Sequence, residues 1–141
     1  GTIYDKKGLL EDAIGEYKHA TRLDPTYPYS YNNLGASLTK KGDMDDALTA
    51  FQKAVDLLPN QPDFHFNIGY TYLQKGTMDN AQKEFETTLK LSPSHSDALF
   101  CMGTIYYRQG YKEKAMESWQ AVLALNPNHT KAKKCLKMLA E

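Results

Sequence analysis

Pro25, Pro59, Pro93 and Pro127 are separated by 34 residues each time, and the period runs through the chain without an insertion. Gly1, Gly35, Gly69 and Gly103 form a second column, Gly8, Gly42, Gly76 and Gly110 a third, and Ala13, Ala47, Ala81 and Ala115 a fourth. Tyr17, Phe51, Phe85 and Trp119 form an aromatic column. A fixed period of this length means that one supersecondary unit is stacked on copies of itself. Each unit then buries its apolar face against its neighbours, so function is to be sought on the surface the stack creates.

The unit from Pro28 to Gln61 shows what is stacked. Tyr31, Leu34, Gly35 and Leu38 fall at i, i+3, i+4 and i+7, one stripe of an amphipathic helix. Pro28 suits the first turn, where its missing N–H costs nothing. Lys40 and Lys41 favour the C-terminal end, and Gly42 stops the helix by adopting a left-handed conformation. Asp43 is then expected to cap a second helix, with Asp45 and Asp46 in its first turn and Ala47, Phe51, Ala54 and Val55 along its buried stripe, before Pro59 ends it. The small Gly35 and Ala47 let the two helices approach closely. The spacing predicts a tight helical hairpin.

These columns match W-x2-L-G-x2-Y followed by A-x3-F and P, and the chain resembles the tetratricopeptide repeat family over its whole length. The second unit reads Tyr31, Leu34, Gly35, Leu38, Ala47, Phe51, Pro59; the third His65, Ile68, Gly69, Tyr72, Ala81, Phe85, Pro93; the fourth Leu99, Met102, Gly103, Tyr106, Ala115, Trp119, Pro127. The resemblance implies an all-α fold, a right-handed α-solenoid of stacked antiparallel hairpins. Its expected units are a partial first repeat at 1–27, whole repeats at 28–61, 62–95 and 96–129, and a C-terminal capping helix at 130–141 opened by Thr130. Gly1 and Tyr4 fill columns in the partial unit, which reads as part of a longer array with most of a first helix lacking. His65 and Thr88 depart from the pattern and are expected to loosen the third unit.

Seventeen Lys and Arg balance seventeen Asp and Glu, so no long-range field draws in nucleic acid or an anionic membrane. Neither is expected as a partner. Cys101 and Cys135 are 34 apart, in equivalent places of successive units. Packed helices lie about 8–10 Å apart, too far for a disulfide, and two free thiols in a cytoplasmic setting are expected. No histidine pair stands at i and i+4, and neither cysteine belongs to C-x-x-C, so no metal or other cofactor is expected. His95 and His129 read as loop residues. Nucleophile elbow, phosphate loop and dinucleotide fingerprint are all missing. The segment is not expected to be an enzyme, and no catalytic residue is assigned.

What the core leaves over on the first helices carries the functional reading. Opposite the core stripe of the second unit lie Tyr29, Asn32, Asn33, Ala36 and Lys40; stepping by 34 gives Asp63, Phe66, Asn67, Tyr70 and Gln74, then Asp97, Phe100, Cys101, Thr104 and Arg108. Thr2 and Lys6 precede them; Lys131, Lys134, Cys135 and Met138 follow. In tetratricopeptide proteins the first helices line a concave groove, so the resemblance implies that these side chains face a ligand. The expected peptide-binding set is Tyr29, Asn32, Asn33, Ala36, Phe66, Asn67, Tyr70, Phe100, Thr104, Arg108, Lys131 and Lys134.

Two alternatives stay open on this face. The aromatic rings either mark an interaction site or pack sideways against neighbouring helices. Asn33 and Asn67 either hold a peptide backbone, as in the asparagine ladder of O-linked N-acetylglucosamine transferases that they resemble, or bond from helix to helix. The Lys and Asn carboxylate clamp of chaperone-binding family members has no counterpart here. The reading is a protein-interaction module that binds a peptide segment of a partner as adaptor or scaffold. A structural spacer that assembles with its own copies through the partial first unit, and a recognition arm of a larger enzyme, are the alternatives.

Overall fold

The computed structural model describes residues 2–140, and side chains for residues 8–139. The expectations placed on Gly1 and on the side chains of Thr2, Tyr4 and Lys6 fall outside these. Eight helices and no strand are found among the described residues: α1 (Thr2–Leu23), α2 (Pro28–Lys41), α3 (Met44–Leu57), α4 (Pro62–Lys75), α5 (Met78–Leu91), α6 (Ser96–Arg108), α7 (Lys112–Leu125) and α8 (Thr130–Ala140). The pairs α2–α3, α4–α5 and α6–α7 pack as antiparallel hairpins, and each second helix also packs on the first helix that follows it. The fold is a right-handed α-solenoid.

Each hairpin turns in the same way. Gly42, Gly76 and Gly110 have φ of 100°, 89° and 89°, the left-handed region where a β-carbon is strained. The following N–H groups, of Asp43, Thr77 and Tyr111, donate to the carbonyls of Leu38, Tyr72 and Tyr106 at 2.9, 2.9 and 2.8 Å. That bond satisfies carbonyls the helix end would otherwise orphan. Gly8, in the same column, behaves differently: α1 continues straight through it. The partial first unit is one long helix, not a clipped hairpin.

The interior is built from the aromatic column. Phe51, Phe85 and Trp119 are buried, as are Ala47, Ala81 and Ala115, and each ring lies over the glycine of its partner helix. Of the α3 stripe, Ala47, Phe51 and Ala54 are buried and Val55 is half-buried. The third unit is not looser than the others. Thr88 is fully buried with its hydroxyl donating to the Glu84 carbonyl at 2.8 Å. His65 has partners on both nitrogens: Nδ1 lies 2.9 Å from Glu84 Oε2 and Nε2 lies 2.8 Å from the Pro59 carbonyl oxygen. Both partners of His65 are acceptors, and a neutral imidazole donates to one of them.

Two capping expectations are corrected. Asp43 stands at the N-cap of α3, but its side chain makes no capping bond; Oδ2 turns instead to Lys41 Nζ at 3.5 Å. Thr130 is the first residue of α8, and the cap is His129, whose Nδ1 accepts from the Ala132 N–H at 3.1 Å.

First helices touch one another directly. Asn67 Nδ2 donates to Asn32 Oδ1 at 2.8 Å, and the hydroxyls of Thr39 and Thr71 lie 3.0 Å apart. Second helices are instead wedged between first helices, which leaves α2, α4, α6 and α8 as the inner layer of the solenoid. Exposed ion pairs follow the same period, Lys41 to Glu11 at 3.1 Å and Lys75 to Asp45 at 2.6 Å, and tie α2 to α1 and α4 to α3.

Candidate functional site: a cavity on the inner layer

Two rings of α4, Phe66 and Tyr70, and one of α6, Phe100, turn to a common space, and α8 closes its far end. Phe66, Tyr70 and Leu73 from α4, Asp97, Phe100, Cys101 and Thr104 from α6, and His129 and Lys131 at the start of α8 enclose a cavity of about 470 Å³. That lies within the range of about 300–1,000 Å³ that ligand sites occupy. A second cleft of about 390 Å³, where α1, α2 and α3 meet, is lined by Lys18, Asp46 and Lys53 around Tyr31. It carries mixed charge at its mouth and only one aromatic ring.

The geometry of the inner cavity rests on two repeated stacks. Phe66 packs against His95 with ring centroids 5.0 Å apart, and Phe100 against His129 at 5.3 Å. Each imidazole is fixed by its own helix: Nδ1 of His95 accepts from the Ala98 N–H, and Nδ1 of His129 from the Ala132 N–H, both at 3.1 Å. Nε2 of His95 also meets Asp63 Oδ1 at 3.1 Å. The two histidines are the last residues of their loops and cap the helices that follow, and His129 also lines the cavity. The signal for this lay in their place, one residue before each helix start, where a side-chain acceptor is normally required.

Behind the cavity, Phe66 reaches Phe85 at 5.6 Å and Phe100 reaches Trp119 at 6.3 Å. Both rings are half-buried, so one edge belongs to the core and one to the cavity. Tyr70 is the more available ring, 42% exposed and stacked on Phe66 at 6.2 Å. Thr104 donates its hydroxyl to the Phe100 carbonyl at 3.2 Å and lines the cavity. The Cys101 thiol forms the floor. Burial, with Asp97 nearby, pushes its pKa up to about 12, so it stays protonated and unreactive.

Of the twelve residues the sequence nominates, Phe66, Tyr70, Phe100, Thr104 and Lys131 meet in this cavity. Asn32 and Asn67 are joined to each other across α2 and α4, so the amide N–H of Asn67 is used in the fold. Asn33 is exposed beside them and Ala36 packs into the core of the first hairpin. Tyr29 lies further along, its ring 5.6 Å from Phe64 and its hydroxyl accepting from Gln61 Nε2 at 3.3 Å. Arg108 and Lys134 are exposed and do not line the cavity. Leu73, Asp97, Cys101 and His129 line it without being among those twelve.

No group of three or more metal-ligating side chains occurs among the described residues, and no described helix is long and apolar enough to cross a membrane. The two thiols are not joined to each other.

Stacked hairpins around an inner layer of first helices define a helical repeat protein. The chain belongs to the tetratricopeptide repeat family: models of the repeat match residues 1–42, 35–76, 62–95 and 96–129. Among solved structures it is similar to MamA, with TM-score 0.83 and 21% identity over 96% of this chain and 79% of that one. The first tetratricopeptide domain of Spaghetti (RPAP3), solved bound to an HSP90 peptide SRMEEVD, superposes with TM-score 0.76 at 22% identity, covering 80% of this chain and 90% of that chain. The anaphase-promoting complex hetero-tetramer Cut9–Hcn1 gives TM-score 0.86 and 23% identity over 98% of this chain, which spans 28% of that one. No match was found among curated proteins.

Proposed function

We propose that this chain is a protein-interaction module that binds a peptide segment of a partner protein along its inner layer, as an adaptor or scaffold. The observation that carries this reading is the cavity between α4, α6 and α8, where Phe66, Tyr70 and Phe100 leave apolar ring surface open to a ligand. A face that met only water would not place contiguous rings there. The peptide held by the Spaghetti repeat domain supports this mode of binding for the fold. Thiols not joined to each other fit a reducing compartment such as the cytoplasm.

The asparagine arrangement argues against a backbone-holding ladder as the main grip, because Asn67 is bonded to Asn32. A recognition arm of a glycosyltransferase-like enzyme is correspondingly less well supported than an apolar grip. Self-association is a second reading, favoured by α1: Leu9 is 68% exposed, and Ala13 and Tyr17 are half-buried where Ala47 and Phe51 are almost completely covered.

The test is a pull-down with the wild type and with Tyr70→Ala/Thr104→Arg, which strips an exposed ring and fills the cavity while leaving the aromatic core column intact. Partners retained by the wild type and lost by the variant, at an unchanged melting temperature, support the reading. Partners retained equally by both would place binding on another surface.

A further inference from the structure

We infer that the inner cavity selects a peptide in which one bulky apolar side chain is followed or preceded closely by carboxylates. This rests on the peptide-binding reading above and deepens it. The walls supply the first half of the argument. Phe66, Tyr70, Phe100 and Leu73 offer ring and methyl surface, and the floor is a protonated thiol that provides no charge. The volume, about 470 Å³, admits a large side chain rather than a methyl group. An aromatic or long aliphatic anchor seated there gains desolvation and ring contacts together.

The rim supplies the second half. Helix α8 carries four lysines and no acidic residue between Thr130 and Ala140. Lys131 lines the cavity itself, and Lys134 lies one turn along the same helix. Both are exposed, and no described carboxylate lies within 4.0 Å of either. Arg108, at the end of α6, is exposed too. Asp97 is the opposing charge at the cavity, and it repels rather than attracts an acidic ligand, so carboxylates are drawn to the α8 side. Charge here is complementary to carboxylates placed beside the anchor on the α8 side. The grip differs from a carboxylate clamp, since affinity comes from the apolar anchor and the lysines add a preference for neighbouring carboxylates.

The experiment uses the intact chain and a random twelve-residue peptide display library, selected in parallel on the wild type, on Tyr70→Ala/Thr104→Arg and on Lys131→Glu/Lys134→Glu. Circular dichroism melts check that all three are folded; the lysine changes are on the surface and remove no buried contact. The expected wild-type selection is a Trp, Phe or Leu with Asp or Glu within two or three residues. Anisotropy with a labelled selected peptide should show about tenfold weaker binding when its anchor becomes Ala. Binding should weaken about threefold to tenfold when the lysines are reversed, with the loss shrinking at high salt. Selection on the lysine variant should shift to Lys or Arg beside the anchor. Peptides that depend on Tyr70 and Thr104 yet show no acidic preference would overturn this inference and leave the peptide-binding reading intact. Selected peptides indifferent to Tyr70 and Thr104, or none selected, would overturn both.

Discussion

Trp119 occupies the space that a side chain at position 103 would need: a β-carbon on Gly103 would lie 2.5 Å from the indole Nε1, which donates to the Phe100 carbonyl at 3.3 Å. The same closeness recurs at the other two hairpins, where a β-carbon on Gly35 would lie 2.7 Å from the Phe51 ring and one on Gly69 2.8 Å from the Phe85 ring. Close approach of the hairpin's two helices is thus what the glycine column provides. Gly103→Ala should gain about 1 kcal/mol of helix propensity but lose about 1–3 kcal/mol to overpacking. The clash wins because the indole is held by its own hydrogen bond. Urea melts should show a net loss for Gly103→Ala, whereas Gly15→Ala, with nothing within 4 Å of its added carbon, should gain about 0.5–1 kcal/mol. Equal shifts for the two would mean that the hairpins are not packed this closely.

Phe51 is almost completely buried in the first core cluster. Its truncation to Ala should cost about 3–5 kcal/mol through the cavity left behind. Glu117→Ala on the exposed face of α7 should stay within about 0.5 kcal/mol. Denaturant midpoints measured for both decide whether the 34-residue register assigns core and surface as the structure does.

The period made the hairpins and the inner layer readable, because every core column survives at one spacing and packing follows from it. Most of what escaped was set by neighbours and not by local pattern. Gly8 follows two lysines as Gly42 does, but apolar Leu9 and Leu10 come after it where Asp43 and Met44 come after Gly42, and α1 runs on through it. The cap function of His95 and His129 depends on which ring nitrogen faces the next turn, and Thr130, the better cap by type, sits one place too late. Phe66 and Phe100 carried both of the alternatives that the sequence left open, since each is half core and half cavity. The Asn67–Asn32 bond joins residues 35 apart, so it appears only once two first helices lie side by side.

That dual role changes which variants isolate binding. Phe66→Ala with Phe100→Ala removes ring contacts to Phe85 and Trp119 as well as cavity wall, so the pair should lower the melting temperature along with affinity. Tyr70→Ala, taken from an exposed ring, should leave the melt nearly unchanged. Thermal scans of both variants check this directly; an unaltered melt for the double variant would show that the two rings contribute nothing to the core.

His95 caps α6 through Nδ1 and stacks on Phe66, and the two contributions separate by substitution. His95→Ala should lose about 1 kcal/mol for the cap, while His95→Asn keeps an acceptor at that place and should recover most of it. Asn leaves Phe66 without its imidazole neighbour, however, so near-wild-type stability with altered peptide affinity is the expected combination. Stability lost equally by Ala and Asn would show that the ring, and not its acceptor nitrogen, holds the start of α6.

The exposed apolar surface of α1 should reveal itself as association that grows with concentration. Light scattering across a dilution series measures it, and Leu9→Lys should shift the midpoint to higher concentration, since Leu9 is 68% exposed and a lysine there removes apolar area without touching the core. A strict monomer at every concentration would show that α1 contributes nothing to assembly.

The two cysteines should part company by reactivity. Burial pushes the Cys101 thiol up to about 12 from an ordinary 9.0, and it raises the half-buried Cys135 as well but without a shift of that size. The thiolate is the attacking form, so iodoacetamide at pH 8 should label Cys135 first and reach Cys101 only on unfolding. The same shift links stability to pH. Between about 9 and 12 the folded chain holds the Cys101 proton that the unfolded chain has released, so stability is fully present below about pH 9 and falls above it. The slope is at most about 1.4 kcal/mol per pH unit. Cys101→Ala should flatten that alkaline decline, at some loss of packing in the cavity floor; mass spectrometry of labelled peptides and urea melts from pH 8 to 11 measure the two effects separately. Prompt labelling of Cys101 in the folded chain would show that its thiolate forms far more readily than its burial in the cluster around Phe85 and Met102 allows.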